Sequence, residues 1–418
     1  MKKRVCCTMS LVLAASMITT CMPAVTASAD DTVTLTIWGD VDNQVTLEDP
    51  FEEINAAFEE AHPNIKLDYQ WAGTFDSINV ATQSDSLPDL FWVQGNKSDK
   101  MAELARNGYI LNLDEYNLDA SRYNESAIEY ATVDGSVYCS YPAFCDYALI
   151  YYNKDIFEEC GAEVPTTLSE FTELVKSFMD TEYIPLALGG NGEWDRYWLI
   201  QVLAPAVCGD TLEQIKNHEE IDWTGMETLF DMYAEYSKNG YMGKDFQATD
   251  GVGAELSFTN GDAAMLVGGT WANSSYRDMG FELGAFPIMD EEGVTYSQSG
   301  EAQNMTYAVS SKCEHPDEAV EYLRFLNSKE AEQIMEDYTG SIPTVDDIEP
   351  KDELIAQFAD FDIVGANIYH VLSGVSDDNA KPQDVLMGDV VPKLMTGEIT
   401  GAEGVEMIRA ELEKSTNK

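Results

Sequence analysis

Basic residues are scarce in this chain. Its 418 residues carry 24 Lys and Arg against 75 Asp and Glu, a formal charge of −51. Nucleic acid and anionic lipid surfaces would be repelled, not steered in, so neither is expected as a partner. The same scarcity leaves a phosphorylated or carboxylated solute little to pair with. Only four His are present, none paired at metal-ligand spacing, which argues against a catalytic metal. After residue 29 the cysteines are Cys139, Cys145, Cys160, Cys208 and Cys313. An odd, widely spread set without CxxC spacing builds neither a disulfide framework nor a zinc site, so buried free thiols are expected, with no metal and no cofactor. Internal repeats and low-complexity tracts are lacking. So, beyond the leader, is any apolar run near the roughly 18 to 20 residues that span a bilayer.

What is present begins with that leader. Lys2, Lys3 and Arg4 precede an apolar run from Val5 to Ile18, and Ala27-Ser28-Ala29 supplies a small-x-small cleavage site. Residues 1–29 therefore read as a secretory signal, and the protein as exported. Ile18-Thr19-Thr20-Cys21 resembles a lipobox, but Thr20 stands where that pattern has Gly, Ala or Ser. Cleavage after Ala29 is favoured, with lipid attachment at Cys21 as the alternative; either leaves the protein extracellular or at the cell surface. Loss of the leader leaves 21 basic and 75 acidic residues, a formal −54. The length is more than one core needs, so two lobes are expected.

Along the mature chain strands and helices alternate. Val33, Leu35 and Ile37 alternate with threonines in a first strand that ends on Trp38-Gly39-Asp40. Pro50 is expected to open a helix with Phe51, Ile54 and Phe58 on one face, stopped at His62-Pro63. Strands follow at Ile65 to Trp71 and Pro88 to Trp92, then a helix from Lys97 to Asn107. This βα alternation predicts a parallel sheet whose loops at the strand C-termini make binding sites. Asp40, Trp92, Gln94 and Asn96 all fall at or just past such ends.

Gly135 to Lys154, GSVYCSYPAFCDYALIYYNK, looks like the passage from one lobe to the other. Strand-like runs at Val137 to Tyr141 and Tyr147 to Tyr152 flank a break at Pro142 that a central strand would not tolerate. Asp146 then places a carboxylate among rings at the mouth between the lobes, or else a solvated acid in an ordinary hairpin. Further on, Thr167-Leu168-Ser169-Glu170 is a capping-box pattern, and Ile184 to Leu188 is strand-like. The turn Gly189-Gly190-Asn191-Gly192 permits close approach of a ligand, and the following Glu193-Trp194-Asp195-Arg196-Tyr197-Trp198 offers stacking faces or, equally, core aromatics of an amphipathic helix. Ala263 to Val267 is a buried strand leading to Gly268-Gly269-Thr270-Trp271, where a large ring after two glycines is poorly shielded by its own backbone. Trp271 is the strongest single candidate for an exposed stacking platform.

Taken in order, LTIW, AFEEAHPNIKLDY, SLPDLF, YPAFCDYALIYYNKDIFEECGAEVPTTLSEF, FTNGDAAMLVGGTW, AVSSKCEHPDEAVEYLRFLNS, TGSIP and LMTGEITGAEGVEMI resemble the extracellular solute-binding proteins of ABC importers, in their maltose-binding-protein-like sugar class. The resemblance implies an α/β, two-lobed periplasmic-binding-protein-like fold, each lobe a mainly parallel sheet flanked by helices, with the ligand in the cleft between. It implies an N-terminal lobe of residues 30–141 plus 305–342, a C-terminal lobe of 146–301 plus 346–418, and hinges near 141–146, 301–305 and 342–346. The implied ligand-binding set is Asp40, Asp42, Asn43, Trp92, Gln94, Asn96, Asp146, Glu193, Trp194 and Trp271; Tyr369 and Asp384 stay outside it.

The function implied is capture of a carbohydrate, an oligosaccharide by class, and its delivery by a monomeric binder to the ABC permease, without catalysis. A pyranose suits such a site because its C–H face packs on indoles while its hydroxyls meet carboxylates and amides. The rival readings are a secreted glycoside hydrolase, which needs two carboxylates about 5 to 10 Å apart, and a binder of a non-sugar solute such as a peptide or polyamine.

Overall fold

In the computed structural model of the chain, the residues described are 32–95, 99–270, 273, 276, 279–298, 303–356, 363–365, 367–377 and 379–415. The leader with Cys21, and the candidates Asn96 and Trp271, lie outside them. Among the described residues no helix is long and apolar enough to cross a membrane.

The first lobe is built on β1 (Val33–Asp40), β2 (Ile65–Gly73) and β3 (Leu90–Val93). β1 lies parallel to both others, with Ile37 opposite Leu90 and Tyr69. Leu35 and Ile37 point into the core by the two-residue period of the strand. Against them packs α1 (Gln44–Ala61), whose buried Leu47, Pro50, Phe51, Ile54 and Phe58 form one stripe. The helix thus begins six residues before Pro50, which was expected to open it. The proline forfeits one backbone hydrogen bond, but its ring lies on the buried stripe and the helix runs through. The helices α2 (Phe75–Ser84) and α3 (Asp99–Arg106) follow β2 and β3.

Of the expected strand from Val137 to Tyr141 only Val137 lies in a ladder, in which residues 136–137 pair with 132–133. The chain then passes through β4 (Phe144–Cys145) into β5 (Ala148–Asn153) of the second lobe. That sheet is completed by β6 (Ile184–Ala187), β7 (Ala263–Gly269) and β8 (Leu283–Phe286), in the order β8-β5-β7-β6. Only β6 and β7 are parallel; β5 is antiparallel to β7, and β8 to β5. The second sheet is therefore not mainly parallel as expected. The reason is topological: β5 starts where the chain arrives, and β7 ends there, with Ala148 opposite Gly269. After β9 (Gln303–Asn304) the first sheet repeats the device, since β10 (Thr306–Val309) runs antiparallel to β3 with Thr306 opposite Val93.

The helices of this half that bear on the site are α4 (Glu193–Lys216), α5 (Thr224–Asn239) and α6 (Gly251–Thr259). Later come α7 (Pro316–Leu326), α8 (Lys329–Thr339), the short strand β11 (Ile342–Pro343) and α9 (Ile368–Gly374). The expected capping box at Thr167 forms by half. Thr167 accepts the Glu170 N–H, but the Glu170 carboxylate reaches one residue further back, to Thr166.

One core gathers Leu35, Phe58, Phe91, Tyr307 and Leu323; another gathers Ile150, Phe171, Leu199, Phe230 and Leu394. A smaller third, with Tyr151, Phe258 and Tyr276, fills the other face of the second sheet. Between the large cores the three passages of the chain pair with one another: β4 bonds to β9 on one side and β11 on the other. Val345 and Ile348 still pack in the first core, so the last passage leaves that lobe only after residue 348.

One glycine tests the packing at the end of β3. Gly95 has φ +52°, and a Cβ there would lie 2.3 Å from the Tyr130 ring. Gly108, at φ +72°, has nothing within 4 Å of that position. Gly95→Ala is expected to cost about 3 kcal/mol, backbone strain and overpacking together, and Gly108→Ala about 1. Urea unfolding of the two variants checks this, and equal losses would refute the packing argument.

Candidate functional site

The antiparallel entries place the carboxyl ends of β1, β3, β6 and β7 at the crossover, so the loops of both lobes converge there. On the first lobe β1 ends at Asp40, which is 2% exposed. Its Oδ1 accepts the Asp42 N–H at 3.1 Å and its Oδ2 accepts the Asn43 side-chain amide at 2.6 Å. Asp40 thus shapes the turn that Asp42, exposed, and Asn43, half-buried, present. Behind it Gly39 leaves room for Tyr69, whose hydroxyl lies 2.6 Å from that of Tyr307.

At the end of β3, Gln94 is half-buried and Trp92 is 3% exposed. Trp92 was expected to offer a stacking face; its ring instead packs in the first core against Phe75, 5.5 Å between centroids. Strand alternation turns it toward the face that carries Leu90, and α2 covers it. Its indole nitrogen and the Tyr130 hydroxyl are buried without a partner among the described residues.

At the crossover itself Asp146 is 3% exposed, and the Thr270 hydroxyl donates to it at 3.3 Å. Thr270 also accepts the Tyr147 N–H at 3.0 Å and donates its own N–H to the Tyr147 carbonyl. The start of β5 and the end of β7 are thereby tied at the carboxylate. Asp146 is a buried, hydrogen-bonded acid and not the solvated acid of a hairpin.

On the second lobe the glycine turn ends β6 and starts α4. Glu193 and Trp194 are exposed in its first turn. Trp194 lies 5.0 Å from the ring of Tyr369, on α9, and 6.2 Å from that of Trp198. The Tyr369 N–H donates to the Tyr197 hydroxyl at 3.1 Å, which fixes α9 against α4. Asp195 and Trp198, three apart and so on one face of α4, line a small pocket of about 50 Å³ with Glu255, Tyr276, Gly189, Gly251 and Gly268. Burial pushes the Glu255 carboxyl up; the Tyr276 hydroxyl bonded to it pulls it down, and the charge of Asp195 pushes it up again.

A larger hollow of about 490 Å³ lies along the outer edge of β6, lined by Met179, Tyr183, Met242 and Phe246. Volume alone is a poor guide here, because the strand ends and both lobes meet elsewhere.

Sequence reasoning pointed to loops at the strand ends of both lobes; it did not single out Asp195, Trp198, Glu255 and Tyr276, which line the pocket, and it set Tyr369 aside. The helical phase of EWDRYW carries a signal for Asp195 and Trp198. Nothing local marks Glu255, whose place depends on how α6 crosses β7. Among the described residues no group of three or more His, Cys, Asp or Glu could hold a metal ion.

The family described as bacterial extracellular solute-binding protein matches residues 44–333. An uncharacterised ABC transporter extracellular-binding protein of Pyrococcus horikoshii is 24% identical over 383 residues, 86% of this chain and 83% of that one. The multiple sugar-binding protein of Streptococcus mutans is 27% identical over 294 residues, 65% of each chain. Among solved structures, a chitin oligosaccharide binding protein superposes with a TM-score of 0.77 at 21% identity, covering 92% of this chain and 99% of that one. The solute-binding protein RafE in complex with raffinose gives 0.73 at 22% identity, covering 91% and 99%.

Proposed function

The chain belongs to the bacterial extracellular solute-binding protein family, and from that premise we propose that it captures an oligosaccharide between its lobes and hands it to an ABC permease without breaking a bond. The observation that carries the reading is that the start of α4 presents rings and carboxylates together: exposed Trp194 rests on half-buried Tyr369 and neighbours Trp198, and Trp198 with Asp195 and Glu255 lines the adjoining pocket. Rings cover the C–H faces of a pyranose, and carboxylates accept from its hydroxyls. The names of similar proteins point the same way, since they include binders of multiple sugars, raffinose and chitin oligosaccharide.

In this reading Asp146, Gln94, Asp42 and Asn43 approach the ligand from the first lobe and the crossover, with Asn96 and Trp271 as further contacts. Glu193, at the start of α4, guards the rim. The small sheet β9-β4-β11 is the hinge, because it joins the passages near 144, 303 and 342 with few hydrogen bonds. Ligand favours the closed state by bridging the lobes, and the permease reads closure. The protein acts as a monomer outside the cytoplasmic membrane, after cleavage at Ala29 or tethered at Cys21.

A thermal-shift screen over mono- and oligosaccharides, with product analysis of each hit, tests the proposal. Ligand at about 100 times its dissociation constant should add roughly 2.7 kcal/mol, a rise of several degrees, with the sugar recovered intact. Steady hydrolysis abolished by Asp146→Asn would establish the hydrolase reading instead. A shift with polyamines or peptides alone would establish a non-sugar binder.

A further inference from the structure

The pocket between α4 and α6 holds two carboxylates with no cation to balance them: no Lys, Arg or His is among the described residues that line it. Asp195 Oδ2 accepts the Gly251 N–H at 2.7 Å, while Oδ1 accepts nothing from a described residue. Glycine is required around this carboxylate. A Cβ on Gly251 would come within 2.6 Å of Oδ1, one on Gly192 within 2.2 Å of Oδ2, and one on Gly189 within 2.8 Å of the Asp195 Cβ. The backbone has closed in on the acid at three positions, and the acid also borders the pocket. Glu255, half-buried, meets Asp195 across the same space, with Tyr276 and Trp198 as aromatic walls.

Two acids and two rings in a confined space suit a small cation better than any other group. An ammonium supplies three donors for carboxylate oxygens, neutralises charge that burial disfavours, and is attracted to an indole or phenol face. A hydroxyl supplies one donor and no charge. An acetamide is larger and neutral, and a carboxylate or phosphate would be repelled.

We propose that this pocket receives a protonated amine of the ligand, so that the oligosaccharides bound include a unit with a free amino group. The inference rests on the carbohydrate reading above and narrows it to amino sugars.

The test uses the mature protein and three matched sets of gluco-configured oligosaccharides of equal length, bearing hydroxyl, free amine or acetamide at C2. Dissociation constants are measured by calorimetry at pH 6.5. The amine set is expected to bind at least about tenfold tighter than the hydroxyl set. Glu255→Gln should shrink that preference below about threefold, and Glu255→Asp should restore part of it; Asp195→Asn serves as a second variant if the first lowers the unliganded melt. Hydroxyl or acetamide sets binding as tightly as the amine set, or a preference unmoved in both variants, overturns this proposal alone. If no set binds, it falls together with the carbohydrate reading.

Discussion

Arg122→Ala is expected to lower the free energy of unfolding by about 3 kcal/mol at pH 8 and by clearly less at pH 6. Arg122 Nη2 lies 2.8 Å from Asp347 Oδ1 and 2.9 Å from Glu332 Oε2, the second an ion pair without hydrogen-bond alignment. Nη1 donates to the Asn327 carbonyl at 3.0 Å. Glu332, on α8, is 2% exposed and accepts the Tyr123 hydroxyl. One guanidinium thus serves two carboxylates beside the chain passages, for Asn327 also brackets the Tyr141 backbone and Tyr123 bridges Val345. Other charges nearby are Asp119, whose carboxyl feels the charge of Arg122, and Lys329 on α8, which lies 3.5 Å from Asp347; further along α8, Glu336 lies 3.8 Å from Lys351.

Burial pushes the Glu332 carboxyl up to about 7, against the downward pull of the Tyr123 hydroxyl and Arg122. In the unfolded chain it titrates near 4.5. Below that value both states hold the proton, and stability from this group is complete. As pH rises from 4.5 through 7 the unfolded state releases its proton first, so stability falls by an amount on the order of 2 to 3 kcal/mol and then levels off. Without Arg122 the charged carboxylate is costlier still, which puts the larger deficit at pH 8. Urea titrations of wild type, Arg122→Ala and Glu332→Gln at the two pH values measure this, and Glu332→Gln should flatten the wild-type slope. Equal losses at both pH values for Arg122→Ala would show that a different group titrates.

Trp194→Ala is expected to weaken oligosaccharide binding about 30-fold, the loss of roughly 2 kcal/mol typical of a ring at the centre of a contact. The ring is 37% exposed and rests against Tyr369, so its removal uncovers little of the core. The unliganded melt should therefore stay within about 2 °C of wild type. Calorimetry with the best sugar from the screen, beside a melt of the free protein, separates the outcomes. Unchanged affinity with a large fall in the free melt would make Trp194 a packing residue.

Particular elements show why some of this was legible in advance. Leu35 and Ile37, or Phe51, Ile54 and Phe58, announce their elements because the period of a strand or helix is written in neighbouring side chains. The glycine turn at 189–192 announces a close approach to the backbone, and in the structure the group that approaches Gly189 and Gly192 is the Asp195 side chain of the chain itself. Trp92 shows the limit. Its position at a strand end is local, but whether the ring faces the cleft or the core depends on α2 and Phe75. Pro50 shows another, since a helix with a buried stripe on both sides of a proline can absorb it.

The sequence alone determined the strong net acidity, the alternation of strands and helices and the two-lobed class, because each depends on composition, length or spacing within a short window. The tertiary structure decided the direction of the strands entering each sheet, which acids share the pocket at Asp195, that Trp92 is buried, and that three distant segments pair into one small sheet. Those facts depend on contacts between residues tens to hundreds of positions apart, and no local pattern carries them.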